Sequence, residues 1–101
     1  MFTYTIKKGV LSIRLAGELD HAAAPELREK LDKLIRAGGY EKIVFDFSEL
    51  IFMDSTGVGL LLGRLKTAKS QMKPIAILSP TPAVDKVLKV SGIYSVIPKI
   101  S

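Results

Sequence analysis

The chain has 101 residues, the size of one domain, and 48% of them are hydrophobic, which is too apolar for a disordered segment. It contains no cysteine and one histidine, His21. Disulfides, thiol nucleophiles and Cys-based metal sites are thereby excluded, and a zinc site or His-based triad lacks a second imidazole. Fifteen Lys and Arg against ten Asp and Glu give a net charge of +5, which raises the question of an acidic partner.

Met1–Gly9 alternates in polarity and has no basic stretch followed by an apolar block, so it does not read as a secretory signal. No apolar run approaches the roughly 20 residues of a membrane-spanning helix. The expectation is a cytoplasmic protein with no direct membrane insertion.

Thr3–Lys7 alternates β-branched and aromatic residues and predicts a strand. Gly9, after Lys7-Lys8, marks a hairpin turn. Leu11, Ile13 and Leu15 then alternate with Ser12 and Arg14, the pattern of a half-buried strand, which Gly17 is expected to end. Ala22–Ala37 predicts a helix with Leu27, Leu31, Leu34 and Ile35 on one stripe. Glu26–Lys30 and Glu29–Lys33 are i,i+4 pairs on its wet face. Pro25 suits its first turn and Gly38-Gly39 its stop.

Lys42–Phe47 predicts a strand, with Ile43, Phe45 and Phe47 on one face and Val44 and Asp46 on the other. Ser48–Asp54 reads as a loop. A second helix is expected over about Ser55–Ser70, with Val58, Leu61, Leu62 and Leu65 as its buried stripe. Pro74–Leu78 is a short apolar strand. Thr81-Pro82 is an N-cap with proline at the first helical position, and the helix runs to about Val90, with Val84, Val87 and Leu88 inward and Gly92 as its stop. Tyr94–Ile97 is expected as a last short strand. The order ββαβαβαβ implies one α/β domain over residues 1–101. It has a mixed sheet of four to five strands, about three helices and right-handed crossovers between parallel strands.

Asp54–Gly63 reads Asp-Ser-Thr-Gly-Val-Gly-Leu-Leu-Leu-Gly where a strand hands over to a helix, the usual place for function in such sheets. Its glycines miss the dinucleotide spacing by one residue, and no acid follows at the required distance. The Gly-Lys-Ser/Thr end of a phosphate-binding loop is absent. Asp46 and Asp54 could converge as a carboxylate pair, but no histidine or nucleophile joins them. A purely structural reading makes Asp54 or Ser55 an N-cap and the glycines a means of close packing. Two adjacent hydroxyls, Ser55 and Thr56, beside an acid at an exposed helix start also suit a regulatory phosphorylation site. A phosphate there is expected to meet free N–H groups and the positive end of the helix dipole.

The run Leu50-Ile51-Phe52-Met53-Asp54-Ser55-Thr56-Gly57-Val58-Gly59 resembles the signature of the STAS domain family, which includes the bacterial anti-sigma factor antagonists. Gly17-Glu18-Leu19-Asp20-His21, Leu62-Gly63-Arg64-Leu65-Lys66 and Ser91-Gly92-Ile93 match further blocks of that family in the same order. The Glu18–His21 and Phe52–Ser55 blocks are most similar to its sporulation branch, the anti-sigma F factor antagonists. The resemblance implies a single STAS-type domain that is not an enzyme and needs no cofactor or metal. It implies that Ser55, directly after the aspartate, is phosphorylated by an anti-sigma factor that is also an ATP-dependent serine kinase. Thr56 is the second choice. The unphosphorylated form would bind the kinase and free the sigma factor, phosphorylation would switch binding off, and a serine phosphatase would reset it.

The same resemblance places Asp20, His21, Asp54, Thr56, Gly57 and Gly59 in the kinase-binding surface. It also implies a further C-terminal helix, absent from the residues up to Ser101, and an acidic composition where this chain is basic. An alternative within the family is a stressosome component or a subunit docking on a membrane transporter. Read as residues alone, Asp20 serves equally as a turn cap, His21 as a surface residue, and Arg64 and Lys66 as a solvated face. Nucleic-acid binding is not expected, because the lysines and arginines are spread over Lys7-Lys8, Lys30–Arg36, Lys66–Lys73 and Lys86–Lys89 without interleaved aromatics.

Overall fold

A computed structural model describes residues 1–101. Its strands are β1 (Phe2–Lys7), β2 (Val10–Leu19), β3 (Lys42–Met53) and β4 (Ile75–Leu78). Its helices are α1 (Ala24–Ala37), α2 (Ser55–Ser70) and α3 (Pro82–Ser91), followed by a 3₁₀ turn at Ile93–Ser95. The strands lie in the order β1-β2-β3-β4. β1 runs antiparallel to β2, whereas β2, β3 and β4 are mutually parallel.

The opening hairpin follows from two residues. Lys7 faces Val10, so only Lys8 and Gly9 make the turn, and both have positive φ, 51° and 78°. That is the two-residue turn whose twist suits antiparallel strands. On the inner face of the sheet Leu11, Ile43 and Ile75 are in register, as are Ile13, Phe45 and Ile77. They join Leu27, Leu31 and Ile35 of α1, Leu60 and Leu61 of α2, and Val84 and Leu88 of α3 in one buried core. Burial of this apolar surface is the main force holding helices to sheet.

Several expectations change here. β2 continues through Gly17 to Leu19, and β3 continues through the expected loop to Met53. The cause is a pair of bulges. Arg14 faces Asp46 but Ala16 faces Glu49, and Gly17 faces Leu50 but Glu18 faces Phe52. In each step β3 uses one residue more than β2, so buried positions fall at Phe47, Leu50 and Met53, three apart. A strand that breaks the two-residue period does not look like one. Gly17 sits at the irregularity with φ +86°, where a side chain would be strained.

The last strand is also corrected. Residues 93–95 form the 3₁₀ turn, and the sheet edge is met later, where Lys99 bridges to Ile77 in parallel. α1 begins at Ala24 rather than Ala22. Its acceptor is Asp20 Oδ1, which takes the Ala23 N–H at 3.1 Å. Leu34 is only partly buried, and Glu29–Lys33 forms no ion pair, whereas Glu26–Lys30 does at 2.8 Å. Thr81 stands at the N-cap of α3, yet its hydroxyl donates to the Leu50 carbonyl (2.9 Å), tying α3 to the bulged strand.

In α2 the stripe is shifted. Leu62 is exposed, Leu60 is buried in its place, and Arg64 is only 4% exposed rather than part of a solvated face. Arg64 Nε lies 2.8 Å from Asp32 Oδ1 across the α1–α2 contact, although neither Nε nor Nη1 makes a well-aligned hydrogen bond. Asp32 also accepts from Thr67 Oγ1 at 2.8 Å. Removing one partner of such a pair leaves an uncompensated charge. Asp32→Ala should therefore lower unfolding stability in urea by on the order of 3 kcal/mol, and Arg64→Met by less.

At the other end of the core, Asp85 accepts from the Tyr94 hydroxyl (2.6 Å) and from Lys99 (3.2 Å), and pairs with Lys89 (3.2 Å). The Tyr94 hydrogen bond first, then the two lysines, hold its carboxyl down to about 2 against a smaller opposing effect of burial. An unfolded aspartate titrates near ~3.9, so between that value and about 2 the unfolded chain binds more protons than the folded one. Stability from this group is complete above that window and is lost as pH falls through it. Asp85→Asn should flatten that part of the acid limb in thermal melts recorded from pH 4 to pH 2.

Candidate functional site

β2 and β3 are parallel and end together, with Leu19 facing Met53. The next residues are Asp20 and Asp54, so the topology sets the two acids at the same edge of the sheet. His21 follows Asp20 and is exposed. Ser55 opens α2 and is exposed, Thr56 is half-buried and Gly57 is buried. Asp20, His21, Asp54, Ser55, Thr56 and Gly57 thus occur at the carboxyl ends of two neighbouring parallel strands, where α/β sheets place their sites.

Asp54 is the N-cap of α2. Its Oδ1 accepts the Thr56 N–H at 2.9 Å, while its carbonyl accepts those of Gly57 (3.0 Å) and Val58 (3.4 Å). The Thr56, Gly57 and Val58 N–H groups are therefore already engaged, and of the first turn only the N–H of Ser55 itself is left for a phosphate. Beyond that one N–H, an anion at Ser55 meets the dipole of a 16-residue helix and the side chains nearby.

The glycines have unequal roles. A Cβ on Gly57 would overlap the Met53 side chain and crowd Leu19, so this glycine lets the first turn of α2 lie directly on the sheet edge. A Cβ on Gly59 would meet nothing, and the residue is exposed, so Gly59 is not a means of close packing.

The two hydroxyl residues open onto different grooves. Ser55, Val58, Lys86, Val87, Val90 and Ser91 line one of about 440 Å³ between α2 and α3. Thr56, with Gly59 and Gly63, faces α1 across one of about 370 Å³ that Arg28 and Arg64 also line. Val90, which lines the Ser55 groove, is 83% exposed, and Ile51 (66%) and Phe52 (44%), shortly before Ser55 in the chain, are exposed as well. Sequence reading missed this exposed apolar surface and Lys86. Two large apolar residues, Ile51 and Phe52, inside a segment read as a loop were the available signal.

Asp46 does not converge with Asp54. It lies in the middle of β3, bound by Arg14 through Nε and Nη2 at 3.0 Å and by the Ser48 N–H at 2.9 Å. Partial burial raises its pKa, but these partners outweigh that and bring it below the usual carboxylate value.

The family model described as the STAS domain matches residues 1–101. The chain belongs to the STAS domain family. It is 37% identical over 91 residues to an anti-sigma F factor antagonist of Paenibacillus polymyxa, covering 90% of this chain and 78% of that one. It is 32% identical over 81 residues to an anti-sigma-B factor antagonist of Staphylococcus aureus, covering 80% and 74%. Among solved structures, the unphosphorylated anti-sigma factor antagonist SpoIIAA superposes with a TM-score of 0.82 at 35% identity, covering 100% of this chain and 89% of that one. The phosphorylated form of the Bacillus cell fate determinant SpoIIAA gives 0.73 at 34%, covering 100% and 92%. The mixed four-stranded sheet with three helices is thus the STAS fold of SpoIIAA. No helix of this STAS domain is long and apolar enough to cross a membrane.

The packing beneath α2 yields a paired prediction. Gly57→Ala should destabilise the domain by about 1–3 kcal/mol through overpacking against Met53. Gly59→Ala should stabilise it by about 0.5–1 kcal/mol, because an exposed helical glycine is replaced where nothing is crowded. Chemical denaturation of both variants reads the difference in sign.

Proposed function

We propose that this STAS domain is an anti-sigma factor antagonist, a regulatory binding module and not a catalyst. Its unphosphorylated form binds an anti-sigma factor that is also a serine kinase and so releases the sigma factor. Phosphorylation of Ser55 switches that binding off, and a serine phosphatase restores it. The observation that carries this reading is Ser55 itself, an exposed hydroxyl at a capped helix start, sharing a groove with the exposed Val90 and following the exposed Ile51 and Phe52 in the chain. Exposed apolar surface of this kind suits protein binding. The relatives named anti-sigma F factor and anti-sigma-B factor antagonists support it, as does the existence of SpoIIAA in phosphorylated and unphosphorylated forms.

The physical basis of switching is charge. A phosphate adds about −1.5 to −2 at the centre of a surface that must be desolvated on binding, and it stands next to the Asp54 carboxylate. Thr56 is the less suitable acceptor, since it is half-buried and turned toward α1. Asp20, His21 and Asp54 flank the hydroxyl on the same edge and form part of the proposed binding surface.

Incubation with the cognate kinase and ATP, followed by peptide mass spectrometry, should place one phosphate on Ser55. Ser55→Ala should fold, bind the kinase and remain unmodified, and Ser55→Asp should bind at least about tenfold more weakly. Phosphate found at another residue, with Ser55→Ala behaving as wild type, sinks the proposal.

A further inference from the structure

We propose that Lys86 is the residue that binds the phosphate carried by Ser55, so that modification ties the start of α2 to α3 across the groove between them. The inference rests on Ser55 being the modified residue. Ser55 and Lys86 line the same groove from opposite helices, and its other lining residues, Val58, Val87, Val90 and Ser91, include no carboxylate.

Lys86 is also uncommitted. Its neighbours at i−4, i−3, i+3 and i+4 are Pro82, Ala83, Lys89 and Val90, so no helical turn supplies an acid. The one acid of α3, Asp85, is taken by Tyr94, Lys89 and Lys99. Lys86 itself takes part in none of the five salt bridges of the domain.

A phosphate on Ser55 needs such a cation. Only the N–H of Ser55 itself is free in the first turn, those of Thr56, Gly57 and Val58 being engaged by Asp54, and the Asp54 carboxylate repels a dianion one residue away. From the β2 end, Asp20 adds a second acid at the same edge, and His21 stands beside it. Arg28 and Arg64 lie on the Thr56 side of α2, in the other groove. On the side to which Ser55 opens, the cation is Lys86. Its hydrocarbon stem can lie along Val87 and Val90 while its ammonium reaches the phosphate. The modified form would then differ in two ways: its surface carries new charge, and its apolar groove is bridged.

The contact can be read without the kinase by incorporating phosphoserine at position 55 during synthesis and following the ³¹P resonance through a pH titration. A nearby ammonium favours the dianion, so Lys86→Met should raise the second phosphate pKa by about 0.5 unit relative to the otherwise identical phosphoprotein. Lys89→Met, which removes a lysine already paired with Asp85, should leave it unchanged. Equal titration curves for Lys86→Met and the parent, or an equal shift for Lys89→Met, would overturn the inference. Failure of the Ser55 reading appears elsewhere, as phosphate mapped to a different residue in the kinase reaction.

Discussion

The close seating of α2 on the sheet edge fixes everything that follows at the site. Gly57 rests over Met53 and Leu19, the last residues of two paired parallel strands. A side chain there would lift the first turn and rotate the residues before it. With glycine, the cap at Asp54 closes, Ser55 is left outside and Thr56 is turned inward toward α1. Successive residues of the helix point about 100° apart, so with α2 seated here the two adjacent hydroxyls open onto different grooves.

The ion pairs show how the charges are used. Each of the five aspartates has a task inside the molecule. Asp46 holds Arg14, Asp32 holds Arg64, Asp85 accepts from Tyr94, and Asp20 and Asp54 take backbone N–H groups at the starts of α1 and α2. These pairs use Arg14, Arg64, Lys89 and Lys99 as well as acids, so they leave the net charge of +5 unchanged. That charge means that a phosphate on Ser55 enters a surface with cations to spare but with its own immediate neighbours acidic.

The regular parts of the fold were legible because their periods are clean. Leu11, Ile13 and Leu15 alternate, and Leu27, Leu31 and Ile35 repeat at helical spacing, and all are buried as read. The second half of β3 was not legible, because two bulges move its buried positions to every third residue and imitate a loop. Arg64 was misplaced for a related reason. Nothing local distinguishes it from Lys66, and only Asp32 on another helix makes its burial tolerable. At the proposed site, the residues contiguous in sequence were singled out by the helix-start motif and the family resemblance. Lys86 and Val90 were not, since they reach Ser55 only through the packing of α3.

A rigid scaffold also constrains how modification can act. Asp54 already satisfies the N–H groups of Thr56, Gly57 and Val58, so a phosphate gains little by rearranging the backbone. The core under α2 is closed by Leu60 and Leu61, which leaves no slack for the helix to shift. Change must therefore be expressed in side chains and surface potential, not in the fold. The two available terms act in the same direction. Repulsion from the added dianion raises the cost of desolvating this surface for an acidic or apolar partner. Recruitment of a lysine across the Val58–Val87 groove removes apolar surface that a partner would otherwise cover. A switch of this kind reverses fully on loss of the phosphate, because nothing in the core has to repack.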